Sequence, residues 1–296
     1  MKINWASSAY IGLVHLSALF ALFNIVPRCS RYTLVLAIVL WPITLLGITA
    51  GCHRLWSHRS YRASLPLRVL LMLLASMANQ GSIWHWARDH RVHHKHAESD
   101  ADPHNAKKGF FFSHMGWLLV RKHPSIRLAS QRLNFDDLLS DPVVIFQRAL
   151  DPWFQMFMCF WLPGLLCMLW GDDFWNGVWV AGALRYVFVL HATWLVNSAA
   201  HMFGDHPYDP SIWSAENPLV AFIVIGEGWH NWHHKYPFDY AASEFGIAKQ
   251  FNPTKLFIDT CCLLGLASDR KRATGAWHKL REQRERLIYG EDSLKN

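Results

Sequence analysis

Four stretches of the chain are apolar over the ~20 residues that a helix needs to cross hydrocarbon. The first runs from about Ala6 to Val26 and stops at Pro27. The second, Tyr32 to Cys52, and the third, Pro152 to Gly171, contain no charged residue. The fourth, Phe174 to about Val196, is interrupted by Arg185. A guanidinium at the bilayer centre is costly, so Arg185 is expected to snorkel, to pair, or to face the protein interior. Two further apolar stretches read as amphipathic or interfacial segments rather than spans: Leu65 to Ile83, broken by Pro66 and Arg68, and Ile212 to Ile225.

The connections between these stretches carry unequal charge. Spans three and four are joined by a short acidic link, Gly171-Asp172-Asp173, whereas the segment from Arg54 to Arg148 and the tail at Arg270, Lys271 and Arg272 are rich in Arg and Lys. Positive loops stay in the cytoplasm, which puts the long segment, the tail and both termini on that side; Arg28 and Arg31 are a mild exception. The expected architecture is an all-α integral membrane protein forming one domain over residues 1–296. Its spans cover about 6–26, 32–52, 152–171 and 174–196, and a cytoplasmic helical cap is built from 53–151 and 197–296.

Composition agrees. Hydrophobic residues make up 52% and charged residues only 17%, low for a soluble domain. Sixteen Trp fit membrane interfaces, where one end of the ring is wet. The net charge of +7 could suggest nucleic acid, but cytoplasmic loops account for it, and no nucleic-acid partner is expected. The six cysteines form no C-x-x-C and are expected to be buried thiols. The N-terminus has no small-residue cleavage site, so no signal peptide is expected.

Histidine changes the picture. His90, His93 and His94 form an H-x-x-H-H cluster, repeated at His230, His233 and His234, and His53 and His58 form H-x-x-x-x-H. On a helix, positions i, i+3 and i+4 share a face, so each cluster is expected to aim three imidazoles at one point. Neutral imidazole is a common transition-metal ligand, and so many rings exceed what one ion takes; two ions side by side are expected. Lone histidines on apolar helices are usually satisfied core residues, and His15, His191 and His278 are read that way. The clustered histidines all fall on the cytoplasmic side: His53 and His58 just past span two, and His201 just past span four with Asn197 one turn before it. Spans two and four need only continue as helices beyond the bilayer to bring these residues together.

A nearly all-His site differs from the soluble carboxylate-bridged di-iron proteins, which carry paired Glu-x-x-His motifs, and no H-E-x-x-H supports hydrolysis. A membrane-embedded, redox-capable pair of irons suits oxidation of an unactivated lipid C–H bond by O2. The chain has no G-x-G-x-x-G after a strand and no iron–sulfur cysteine pattern, so electrons must come from a separate carrier. A haem carrier or metal transporter would need His pairs inside the spans, where the clusters do not lie.

The motifs also carry a resemblance. His-Arg-Leu-Trp-Ser-His at 53–58, His-Arg-Val-His-His at 90–94 and Gly-Glu-Gly-Trp-His-Asn-Trp-His-His at 226–234 resemble the three histidine boxes of membrane acyl-CoA delta-9 (stearoyl-CoA type) desaturases. Gly47 to Gly51, Ala101 to Asn105, Gly109 to His114, Trp117 to Pro124 and Ala192 to His201 also match family segments, and the likeness covers about Gly12 to Arg272. It implies a mushroom-shaped four-span fold and a di-iron centre using O2. Its nine ligands match His53, His58, His90, His93, His94, His201, His230, His233 and His234, with Asn197 reaching one metal through water.

The resemblance further implies a fatty acyl-CoA substrate. Arg88, Asp89, Arg121 and Lys122 match head-group positions, and Gln80, Trp86, Thr193 and Trp194 match the bend of the acyl tunnel. Trp41 and Leu45 fall near the tunnel end, where they are expected to limit the chain to stearoyl length or less, with palmitoyl or shorter favoured. The implied partners are membrane lipid and a cytochrome b5 or ferredoxin type carrier with its reductase. The implied membrane is the endoplasmic reticulum or a bacterial inner membrane. The chain departs from animal members at its later start and at His191 in place of a common Asn; it also lacks a His-Pro-Gly-Gly, so no fused cytochrome b5 domain is expected. A membrane hydroxylase and an acyl-lipid desaturase are the rival enzyme readings.

Overall fold

A computed structural model describes residues 2–289. Four helices are long and apolar enough to cross a membrane: Trp5–Ile25, Arg31–Ser57, Trp153–Trp170 and Phe174–Met202. These are spans one to four. Spans two and four, at 27 and 29 residues, are longer than a bilayer requires. At about 1.5 Å per residue each reaches roughly 40 Å, beyond the ~30 Å of hydrocarbon, so the ends bearing His53, Asn197 and His201 project out of it.

Helix starts follow from local chemistry. Asn4 accepts from Ser7 N, Ser30 from Tyr32 N and Ser82 from His85 N, each satisfying an orphan donor of a first turn. The segment expected to be broken by Pro66 is instead a helix, Leu65–Ala78, that Pro66 begins. Proline suits that position because its missing N–H has no partner there anyway. The helix ends at Asn79, in the left-handed conformation, and lies against span two with Leu67, Leu71 and Ala75 buried. Of the stretch Ile212–Ile225, only Pro218–Ile223 is helical; Leu219 and Phe222 stay exposed while Val220 and Ala221 are buried.

Span two changes its winding. Gly47–Ser57 is π-helical, and His58 N donates to the carbonyl of His53, five residues back. This winding is how residues five apart come to lie one turn from each other. Spans three and four carry π-helical stretches at Phe157–Trp161 and Gly177–Leu184 that pack together. Arg185 faces the interior, one of the options open to it. Its guanidinium donates to the carbonyls of Ala181, Met77 and Cys159 at 3.0, 2.8 and 3.0 Å. Backbone carbonyls inside a membrane have no water to turn to, and the buried arginine serves that need.

The cap consists of short helices and loops, among them Ile83–His96, Pro142–Ala149, His230–Lys235 and Pro253–Leu263. A two-residue ribbon, Arg62–Ala63 against Ala267–Ser268, ties the end of span two to the C-terminal part. The six cysteines are free; Cys52, Cys159, Cys167 and Cys261 are buried and Cys29 and Cys262 half-buried. His15 and His191 are satisfied by hydrogen bonds, as read from the sequence. His278 is not a core residue: it is exposed on the Thr274–Tyr289 helix.

Candidate metal centre and substrate cavity

The cap helices and the projecting ends of spans two and four bring nine imidazoles into two adjacent groups. His53, His58, His90, His94 and His233 form one; His93, His201, His230 and His234 form the other. Within each, the candidate ligand atoms lie within 4.8 Å of one another.

This corrects the expectation that each H-x-x-H-H cluster serves one point. His90 and His94 join the first group while His93 turns to the second; His230 and His234 join the second while His233 turns to the first. Helix geometry explains the split. Residues i and i+4 are about 40° apart around the axis, whereas i+3 and i+4 are separated by about 100°. The i, i+4 pair therefore shares a target and the middle histidine points to its neighbour.

The contacts inside the groups test whether metal fits. Nε2 of His233 is 2.9 Å from Nε2 of both His53 and His94, and His58 Nε2 is 2.9 Å from His90 Nε2. In the second group, His230 Nε2 lies 3.0 Å from His201 Nε2 and 3.1 Å from His234 Nε2. Two nitrogens bound side by side to one ion at about 2.1 Å would sit about 3.0 Å apart. Read as hydrogen bonds the contacts conflict, because one proton on His230 Nε2 cannot serve two neighbours. A shared cation serves them all.

Carboxylates orient the rings from behind. His93 Nδ1 donates to Asp102 Oδ1 at 2.9 Å and His201 Nδ1 to Glu98 Oε1 at 2.7 Å, and His53 Nδ1 lies 2.9 Å from Glu227 Oε2. These partners fix which nitrogen carries the hydrogen and leave Nε2 as a lone pair facing the group. Burial, with the neighbouring imidazoles, holds His90, His94, His230, His233 and His234 well below the usual imidazole range, so they are neutral donors at pH 7. Burial would raise the Asp102 pKa, but the His93 beside it pulls that carboxyl well below the usual range. Glu227 also accepts from the buried Arg54 at 3.0 Å. It stands between two glycines. Gly226 has φ +114°, and a Cβ on Gly228 would sit 2.2 Å from Ala221 N, so neither position admits a side chain without rearrangement. The roles of Glu98, Asp102 and Glu227 were not assigned from sequence, although Asp102 and Glu227 stand within the recognised motifs.

A cavity of about 520 Å³ leads to the first group. Its lining includes Asn4, Tyr10, Gln80, Trp86, Asp89, His90, Lys122, Thr193, Trp194 and Asn197. Trp86 Nε1 donates to Gln80 Oε1 at 3.2 Å and Gln80 Nε2 to Thr193 Oγ1 at 2.8 Å, linking three of the expected tunnel residues. A small inner space of about 40 Å³ shares Trp86, His90, Thr193 and Asn197 with it and is also bounded by His53, His230 and Ile48. Asn197 therefore sits between the two groups.

At the mouth, a groove of about 260 Å³ is lined by Lys2, Lys108, Arg121, Lys122 and His123. Lys2 was not singled out from sequence. It arrives because Ile3 pairs with Val120 as an antiparallel bridge. Lys122 pairs with Asp89. Arg88 lines neither cavity; it binds Asp89 Oδ1 at 2.8 Å and stacks over Trp84. Trp41 donates from Nε1 to Ile223 O at 3.2 Å, and Leu45 is fully buried in the core, so neither faces lipid alone. Neither touches the inner space, which ends at Ile48. A larger open depression of about 670 Å³ near Arg59, Arg62 and Asp269 holds no clustered imidazole, and Arg62 and Asp269 pair across it at 3.1 Å.

A bundle of four membrane-length apolar helices at whose ends histidines gather into two groups defines a class, and sequence comparison agrees. Residues 30–246 match the family described as fatty acid desaturase, and the chain belongs to that family. It is 52% identical to stearoyl-CoA desaturase 5 of Bos taurus over 283 residues, 95% of this chain and 84% of the relative. It is 52% identical to stearoyl-CoA desaturase 5 of Homo sapiens, covering 96% and 85%. Stearoyl-CoA desaturase 2 of Mus musculus is 50% identical, covering 92% and 75%. The protein is an integral membrane oxidoreductase with a metal centre.

Proposed function

We propose that this protein inserts a cis double bond, at the delta-9 position, into a saturated fatty acyl-CoA, with two irons and O2. The observation that carries this reading is the pair of imidazole groups at the inner end of a cavity whose mouth is basic. His53, His58, His90, His94 and His233 would hold one iron and His93, His201, His230 and His234 the other, with Asn197 reaching one of them through water. When bound, this pair supplies the oxygen-activating redox chemistry. In the net reaction the acyl chain gives up two hydrogen atoms, that is two protons and two electrons. A carrier of cytochrome b5 or ferredoxin type, with its reductase, gives two more electrons, and with two protons O2 leaves as two waters.

The chain's own residues bind, orient and exclude water. Arg121, Lys122 and Lys2 face the CoA phosphates, for which guanidinium and ammonium groups are suited. Asp89, held against Lys122 and Arg88, fixes the position of those cations; Arg88 acts from behind rather than as part of the lining. The hydrogen-bonded Trp86, Gln80 and Thr193 set the bend that presents both hydrogens of a cis product on one side. Ile48, with Leu45 and Trp41 beyond it, closes the inner end. The cap and both termini face the cytoplasm, in the endoplasmic reticulum or a bacterial inner membrane, with surrounding lipid as partner. Metal counting tests the centre. Iron-loaded protein should hold about two irons per chain, and His93→Ala and His233→Ala, one from each group, should each abolish turnover without preventing membrane insertion. Fewer than one iron per chain, or full activity in either variant, refutes the assignment.

A further inference from the structure

Three histidines outside the two groups form a continuous hydrogen-bonded chain. His15 lies on span one, His191 on span four, and His114 on the segment 110–119 of the cap. His15 Nδ1 is 2.7 Å from Ile11 O, and its Nε2 is 3.0 Å from His191 Nε2. His191 Nδ1 is 2.9 Å from His114 Nε2, and His114 Nδ1 is 2.9 Å from Ser198 Oγ. Ser198 Oγ is also 2.9 Å from Trp194 O.

The tautomers follow from one end. A carbonyl only accepts, so His15 carries its hydrogen on Nδ1 and accepts at Nε2. His191 therefore donates from Nε2 and accepts at Nδ1, and His114 donates from Nε2. The Ser198 hydroxyl, which donates to the Trp194 carbonyl, sits against the remaining His114 Nδ1 and caps the chain. The chain ends at a helix carbonyl inside span one, so it leads nowhere for a proton. Its use is mechanical.

What it encloses is Trp194. The His15 ring stacks on that indole, with centroids 6.2 Å apart and planes within 14°. His191 and His114 meet it edge-on at 5.2 and 5.8 Å. Trp194 is buried and lines the main cavity beside Thr193 and Asn197. An aliphatic neighbour would pack against the indole but could slide. Rings tied to three separate elements fix its tilt.

We propose that His191, with His15 and His114, is a positioning residue for desaturation: the linked imidazoles lock the Trp194 ring, and that ring fixes which acyl carbons lie at the metal centre. The inference rests on the acyl-CoA desaturase reading. It predicts more than loss of rate, because a loosened wall lets the chain settle in neighbouring registers.

The test compares wild type, His191→Leu, His191→Gln and His15→Phe on stearoyl-CoA. Double-bond position, kcat/KM, oxygen consumed per alkene, iron content and Tm are measured. His191→Leu should lose roughly ten- to a hundredfold in kcat/KM, the scale of an ångström-level misplacement. It should also yield alkenes displaced along the chain and consume extra oxygen per alkene, with iron content unchanged. Gln offers one donor and one acceptor and should restore a single product. His15→Phe keeps the stack but removes the bond to His191 and should also displace the alkene. A single wild-type isomer at wild-type efficiency from His191→Leu overturns the proposal. So do Leu and Gln variants that fail equally and lose iron, since that is a folding role. A wild type that makes no alkene from stearoyl-CoA overturns the desaturase reading itself, and this inference with it.

Discussion

Asp102→Asn separates the two imidazole groups. The Asp102 carboxylate is buried and accepts three bonds: from His93 Nδ1 at 2.9 Å and His104 N at 3.1 Å on one oxygen, and from Glu98 N at 2.9 Å on the other. Asparagine has one oxygen. Its better orientation keeps that oxygen on His93 and His104 and turns its NH2 against the Glu98 N–H, which is left unpaired. An orphaned buried donor costs about 1–3 kcal/mol, and exchanging a charged for a neutral acceptor about 1 kcal/mol more. Both losses fall on the second group, because Glu98 carries the carboxylate that orients His201. No imidazole of the first group contacts Asp102 among the described residues. Losing such an orienting partner weakens metal binding about 10–100-fold, or about 1.4–2.7 kcal/mol. In equilibrium competition against graded chelator, with metal counted per chain, the variant should release one of its two irons at chelator levels about 10–100-fold below wild type. The other should leave at the wild-type level. Simultaneous loss of both, or no change, would refute the division into two groups oriented by separate carboxylates.

Replacing Arg121 and Lys122 together by Ala should raise KM for acyl-CoA more than it lowers kcat, since contacts remote from the reacting carbon bind ground and transition states alike; an unchanged KM removes them from the head-group site. Leu45→Ala should shift preference from palmitoyl- toward stearoyl-CoA without moving the double bond, at a stability cost of about 2–5 kcal/mol for a fully buried leucine; identical competition profiles would mean that Leu45 does not shape the tunnel end. Burial raises the Glu216 carboxyl from 4.5 to about 8. A group whose folded pKa is raised gives stability that is present below pH 4.5 and lost as pH climbs through about 8. Glu216→Gln, which keeps an oxygen for Trp232 N at 2.9 Å, should flatten the fall of Tm across that range, and an unaltered Tm profile would show Glu216 ionised at neutral pH.

The four spans were legible because hydrocarbon imposes a length, and the continuation of spans two and four followed from where His53 and His201 had to be. The sharing of histidines between groups was not. It depends on the roughly 100° between His93 and His94, which a same-face argument smooths over. The π-winding of Gly47–Ser57 was signalled by the spacing of five between His53 and His58, which an α-helix would not bring onto one side. The carboxylates Glu98 and Asp102 orient rings across loops whose closure no periodicity encodes; Glu98 sits at φ +55°. The His15–His191–His114 chain was hidden for the same reason: each member is solitary in sequence, and only the packing of spans one and four against residues 110–119 joins them.

The central claim is dehydrogenation of an acyl-CoA at a fixed position. It is tested most directly by incubating purified, iron-loaded protein in lipid with stearoyl-CoA, O2 and a reduced electron carrier, then identifying the product by mass spectrometry with double-bond localisation. A cis alkene between carbons 9 and 10, formed only when carrier and O2 are both present, is the predicted result. A hydroxylated chain, or desaturation of acyl-lipid with stearoyl-CoA untouched, would contradict it.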